Sequence, residues 1–334
     1  VVCWGRPDSG GDCSKVEQEL AGRVRSLHST RHAFAAVLDD GSIVTWGNPQ
    51  QGGDCSAVLS QLSSGAVREV CGTGAAFAAV MACGAVVTWG NASRGGDPRR
   101  VAEHLRDGVK RVYATLFAFA AVDCSGAVVT WGHADGGGDS SAVRHQLGGG
   151  VQCVYSTTSA FAALRSDGCL VTWGSPACGG DSSSVRGQLE GRGVRHVGAS
   201  SSAFAALLRD DGTVVTWGDP AAGGDSSGVQ EQLKGGAHRI FGSGAAFAAI
   251  KQDGSIVTWG DPDLGGDSSA VQHQLEWDVQ YIHSTRSAFA AVKADGSIVT
   301  WGDPAAGGDS SSVQEQLSHN VEHGTAKNSA CSVS

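Results

Sequence analysis

The chain has 334 residues, 50 of them glycine, and its 33 acidic against 24 basic side chains give a net charge of −9. With no Lys/Arg-rich run to neutralise phosphates, that balance speaks against a nucleic-acid partner. No apolar run approaches the ~20 residues that cross a bilayer and no signal-peptide pattern opens the chain, so direct membrane insertion is not expected.

The first element, Val1-Val2-Cys3-Trp4-Gly5, reads as the end of a strand, as though the amino terminus were processed or incomplete. The Trp-Gly pair then returns at Trp46, Trp89, Trp131, Trp173, Trp217, Trp259 and Trp301, at intervals of 42, 43, 42, 42, 44, 42 and 42 residues. A fixed period near 40 residues, built of short strands and turns, marks a toroidal or stacked β array. The repeat leaves no second composition regime, so the chain reads as a single domain over 1–334.

Full units run from residue 24 to 302, and the last of them shows the pattern clearly. Val279 to Ser284 predicts a first strand, Thr285-Arg286-Ser287 a turn, and Ala288 to Lys293 a second strand. Asp295-Gly296 predicts a hairpin with positive φ at both turn positions, returning as Ser297 to Trp301. A loop follows, and then Ser310 to Leu317 as a helix of one to two turns, with Ser311 and Gln314 at capping-box spacing. Three strands and a helical turn fit one propeller blade. The alanines of the second strand are expected to crowd near a central axis. The phenylalanines, Phe34, Phe77, Phe119, Phe161, Phe204, Phe247 and Phe289, should join the tryptophans between blades.

The carboxyl end, Val321 to Thr325 and Ser329 to Val333, reads as a worn first and second strand. With residues 1–5 as the missing third strand, 321–334 would complete a split eighth blade and leave no sheet edge open. The alternative is a ring of seven blades with an extra strand and a tail. The fold expected is therefore all-β: seven full blades and an eighth closed by the two termini.

Val70-Cys71-Gly72, Ala78-Ala79-Val80, Gly84 and Val87-Thr88-Trp89-Gly90 resemble the regulator-of-chromosome-condensation (RCC1) repeat, and the likeness runs through the whole chain. The resemblance implies an RCC1-like β-propeller of short repeats. Members of that family include a guanine-nucleotide exchange factor for a small GTPase, propellers joined to HECT-type ubiquitin ligases, and bacterial β-lactamase-inhibitor proteins. This chain departs from the pattern in carrying Gly-Gly-Asp-Ser-Ser, as at Gly266-Asp267-Ser268-Ser269, where the family has Gly-Gln-Leu-Gly. It also lacks the long insertion of exchange factors.

Candidate chemistry is sparse. One aspartate recurs in every unit (Asp12, Asp54, Asp97, Asp139, Asp181, Asp225, Asp267 and Asp309), and its place before the short helix reads as a cap rather than a cation ring. Asp261, Asp263 and Asp267 lack the ligand spacing of a calcium loop, and the pairs His28/His32 and His319/His323 lack a ligand set. No nucleophile elbow or phosphate-cradling loop occurs, so neither enzyme activity, cofactor nor metal is expected. The ten cysteines include no Cys-x-x-Cys pair and share slots with Ser, Tyr and Phe, which reads as unpaired thiols in a reducing compartment such as cytoplasm or plastid.

The turn between the first and second strands varies most from unit to unit. Arg31, His32, Leu116, Phe117, Thr158 and Arg286 lie there, and loops on a rigid scaffold are where specificity is placed. These six are the candidate partner-binding residues. The function expected is a non-catalytic protein-interaction or assembly subunit presenting rim loops to a protein partner. The alternatives are a guanine-nucleotide exchange factor and a lectin-like ligand-binding propeller.

Overall fold

In the computed structural model, residues 1–234, 236–313 and 317 are described. Each unit is a three-stranded antiparallel meander, and seven such sheets follow one another along the chain. Blades 1 to 7 are residues 24–47, 67–90, 109–132, 151–174, 194–218, 237–260 and 279–302. This is the all-β class expected, with the seven full blades that the repeats predict. The described chain falls into two compact units, Val1–Phe161 with Trp173–Ser175, and Ala162–Thr172 with the residues from Pro176 onward. Blades 1 to 3 lie in the first and blades 5 to 7 in the second.

Blade 6 shows how the sequence makes the core. Its strands are Ala237–Gly242, Ala246–Lys251 and Ile256–Gly260. Along the middle strand the side chains alternate between faces. Phe247 and Ala249 join Trp259 and Val257 against Ala203, Ala205 and Leu207 of blade 5. Ala246, Ala248 and Ile250 turn the other way and receive Phe289 and Trp301 of blade 7. Blade 5 thus offers a face of small residues to the aromatic face of blade 6, and blade 6 does the same for blade 7. Blades 1 and 2 repeat the arrangement, as do blades 2 and 3. The alanines admit a neighbour's ring. The first strands of successive blades also meet, in blades 1 to 4 and again in blades 5 to 7.

Phe247 lies directly across the sheet from Trp259, and their rings stack with centroids 5.3 Å apart. The Trp259 indole donates to the Gly223 carbonyl at 3.0 Å, in the loop that leaves blade 5. Trp46, Trp89, Trp131, Trp173, Trp217 and Trp301 bond in the same way to Gly10, Gly52, Gly95, Gly137, Gly179 and Gly265. One buried donor per unit therefore ties each blade to the loop before it. Trp4 stands apart at 82% exposed.

These contacts explain the Gly-Gly of the loops before blades 1, 2, 3 and 6. Gly223 has φ of +89°, and a Cβ there would sit 2.5 Å from Phe247 Cδ2. A Cβ on Gly224 would meet the Gly218 carbonyl oxygen at 2.6 Å. The aspartate that follows accepts a backbone N–H two residues on, as Asp225 Oδ1 does from Ser227 at 2.8 Å. It thereby starts the short helical segments Ser227–Val229 and Gln230–Leu233, which bury Leu233.

Four expectations need correction or restriction. In the hairpins only glycine has positive φ, as at Gly41, Gly254 and Gly296. Gly254 N–H bonds the Lys251 carbonyl and Lys251 N–H the Ser255 carbonyl, which makes a three-residue loop with its glycine left-handed. Residues 1–5 form no strand, and 321–334 lie outside the described residues, as does Gln314 of the proposed capping box. Cys3 and Cys13 are joined in a disulfide, against the expectation of unpaired thiols. Cys55, which occupies the same slot as Cys13 one unit on, is free and buried.

Candidate functional site

The variable turns begin with a hydroxyl whose role is structural. In blade 3, Thr115 Oγ1 donates to the Gly136 carbonyl at 2.8 Å and accepts from the Phe117 and Ala118 N–H groups at 3.1 and 3.0 Å. Thr30, Thr73, Ser243 and Thr285 bond the corresponding loop carbonyls of their own units. The turn is thereby pinned to the loop that follows Trp-Gly, and the residues after the hydroxyl are presented outward.

Pinned in this way, the turns link to one another. In the first unit, Arg31 N–H donates to Gly74 O at 3.2 Å, Gly74 N–H to Leu116 O at 3.0 Å, and Leu116 N–H to Thr158 O at 3.0 Å. In the second, Ser201 N–H donates to Gly244 O at 3.0 Å and Gly244 N–H to Arg286 O at 2.7 Å. Residues some 42 positions apart in sequence thus become neighbours in a backbone ladder, one rung per blade.

The ladder brings together Arg31, Leu116, Phe117 and Thr158. Phe117 is half-buried, with the Arg94 guanidinium stacked 4.8 Å from its ring centroid and the His133 ring tilted at 6.4 Å. Gly74 leaves room for two arginines: a Cβ there would come 3.1 Å from Arg94 Nη1 and 3.8 Å from Arg31 Cδ. Arg31 and His133 are exposed. An aromatic ring with a guanidinium over it and an imidazole beside it is the composition of an interface anchor. His32 instead turns back, its Nδ1 3.1 Å from Ser9 Oγ. Arg286 is exposed in the ladder of the second unit.

Sequence reasoning did not select Arg94 and His133. Their signal is the variable loop after Trp-Gly, where Asn91 and His133 replace the Asp-Pro of later units. The other candidates have local partners. Asp261 accepts from the Asp263 N–H and Asp267 from the Ser269 N–H, while His28 Nε2 lies 3.0 Å from Ser26 Oγ. Burial pushes the His28 imidazole below its ordinary pKa. His319 and His323 lie outside the described residues.

No protein-family model matches the chain, and no curated protein matches it significantly. Solved structures do. The ectodomain of the receptor kinase CR4 from Physcomitrella patens is 13% identical, with 84% of this chain and 73% of that one covered at a TM-score of 0.46. Prp20p from Saccharomyces cerevisiae, described with binding properties to Gsp1p and histones, is 15% identical over 84% of both chains at 0.46. Human WBSCR16 is 18% identical over 85% and 77% at 0.41. With all three below 0.5, function has to be read from this chain's own residues.

Proposed function

We propose that the protein is a non-catalytic interaction subunit and that the turn ladder of its first unit, with Arg31, Arg94, Leu116 and Phe117, is the surface that meets a protein partner. The observation that supports this is the ladder itself. A backbone already fixed before association lowers the ordering cost of binding, so that a small cation–aromatic patch can suffice. Arginine and aromatic residues are the types that dominate interface energetics.

The test is cross-linking of the intact protein to its partner in native extract, read residue by residue, with Phe117→Ala and Arg31→Ala compared. Cross-links at the turns of blades 1 to 4, together with about tenfold or weaker binding by either variant at unchanged thermal stability, support the reading. Cross-links confined to another surface, or unchanged affinity in both variants, refute it. Recovery of a small GTPase whose nucleotide release this protein accelerates would favour the exchange-factor alternative.

A further inference from the structure

We propose that a cavity of about 580 Å³ in blades 6 and 7, lined by His238, Arg239, Lys251, Gln252, Gln280 and Tyr281, binds a phosphoryl group. The residues arise from a feature hidden by the repeat. The second residue of each first strand is exposed, and through the seven blades it is Arg25, Arg68, Lys110, Gln152, Arg195, His238 and Gln280. Five of these seven can carry positive charge, one per repeat, and so none stands in a run.

In blades 1 and 2 the slot's guanidinium is engaged with backbone. Arg25 Nη2 donates to Val67 O at 2.7 Å and Arg68 Nη2 to Val109 O at 3.2 Å, each on the next blade. Blade 6 differs. Its slot holds a histidine, and the neighbouring Arg239 lays its guanidinium 5.3 Å from the centroid of the Tyr281 ring. Lys251, at the end of the middle strand, brings a third basic group to the same cavity. Tyr281 is 45% exposed, so the ring and the cations around it face an open space.

None of the lining residues is acidic. At the hairpin, the Asp253 carboxylate accepts from the Ser255 N–H and hydroxyl and, with the Lys251 charge near it, is held below the ordinary carboxylate pKa. The positive field reaches the neighbouring strand: His196 is pushed below its ordinary pKa first by burial and then by the charges of Arg195 and Arg239. A guanidinium, an ammonium, an imidazole and two amides supply directed donors around one space. A phosphoryl group, with three strong acceptor oxygens, can engage more of them than a carboxylate with two. The cavity begins the first strands of blades 6 and 7, whereas Gly244 and Arg286 of the turn ladder follow their ends, so the site stands independently of the function proposed above.

The experiment is a titration of the intact protein with sodium phosphate against sodium chloride at equal ionic strength, followed by heteronuclear NMR. The expected result is a saturable shift at blades 6 and 7 with phosphate alone, weakened about tenfold or more in Arg239→Gln and in Lys251→Gln. Lys251→Gln guards against loss of the Tyr281 stack in the first variant. A phosphoserine peptide and a nucleoside monophosphate then separate the sources, the tighter of the two identifying the carrier. Equal responses to phosphate and chloride, or affinity retained in both variants, would overturn the proposal.

Discussion

Tryptophan and glycine make one device in each unit. Trp217 is 2% exposed, stacks on Phe204 at 5.4 Å and donates to Gly179 O at 2.9 Å. Trp217→Ala should cost ~3–5 kcal/mol through the cavity it leaves. Trp217→Phe keeps much of the volume but strands a buried carbonyl, and should cost ~1–3 kcal/mol. Urea unfolding of both variants checks the order; no loss in Trp217→Phe would mean that the indole N–H contributes nothing. The aromatic layer was legible because Phe and Trp recur in step with the repeat. The demand for two consecutive glycines was not, because it comes from a ring and a carbonyl that fold back from elsewhere in the chain, Phe247 onto Gly223 and Gly218 onto Gly224.

The hairpin and the turn carry the element-scale lesson. Asp-Gly correctly located the hairpins, but the aspartate serves as a hydrogen-bond acceptor while glycine alone takes the left-handed conformation. Asp253 Oδ1 accepts from the Ser255 N–H at 3.0 Å, and Gly254 has φ of +79° with space for a Cβ only 2.7 Å from Asp278 N. Asp253→Asn keeps an acceptor and should leave the unfolding midpoint almost unchanged. Gly254→Ala should lose ~1–2 kcal/mol or more from the backbone conformation alone, read by denaturant titration. The reverse order would contradict this account of the turn. Variation in the strand-to-strand turns was visible in sequence. Their joining into a ladder was not, since the donors and acceptors are backbone groups that any residue supplies.

Over the whole molecule, the recurring aspartates make stability depend on acid. Asp12, Asp54, Asp139, Asp225, Asp267 and Asp309 are held below the ordinary carboxylate pKa chiefly by backbone hydrogen bonds to the serine two residues on. Asp211 is lowered to about 2 by the Thr213 side-chain and backbone hydrogen bonds, with Arg192 beside it. A carboxylate whose folded pKa is depressed contributes stability that is present above its unfolded value and lost as pH falls through the folded one. The unfolding temperature should therefore hold steady down to about pH 4 and fall progressively towards about pH 2. Calorimetry across that range is the check, and a flat profile would show that these bonds do not bear on folding.

Period, strand pattern and aromatic recurrence by themselves determined the all-β class, the seven full units and the aromatic residues of their core, because a repeated fold must bury the same positions in the same way each time. The tertiary structure alone decided which residues become neighbours across repeats. Arg31, Leu116 and Thr158 enter one ladder, Arg94 and His133 join Phe117, and His238, Arg239 and Lys251 surround one cavity with Tyr281. Those groupings depend on how each blade packs against the next, and residues a full repeat apart carry no local trace of it.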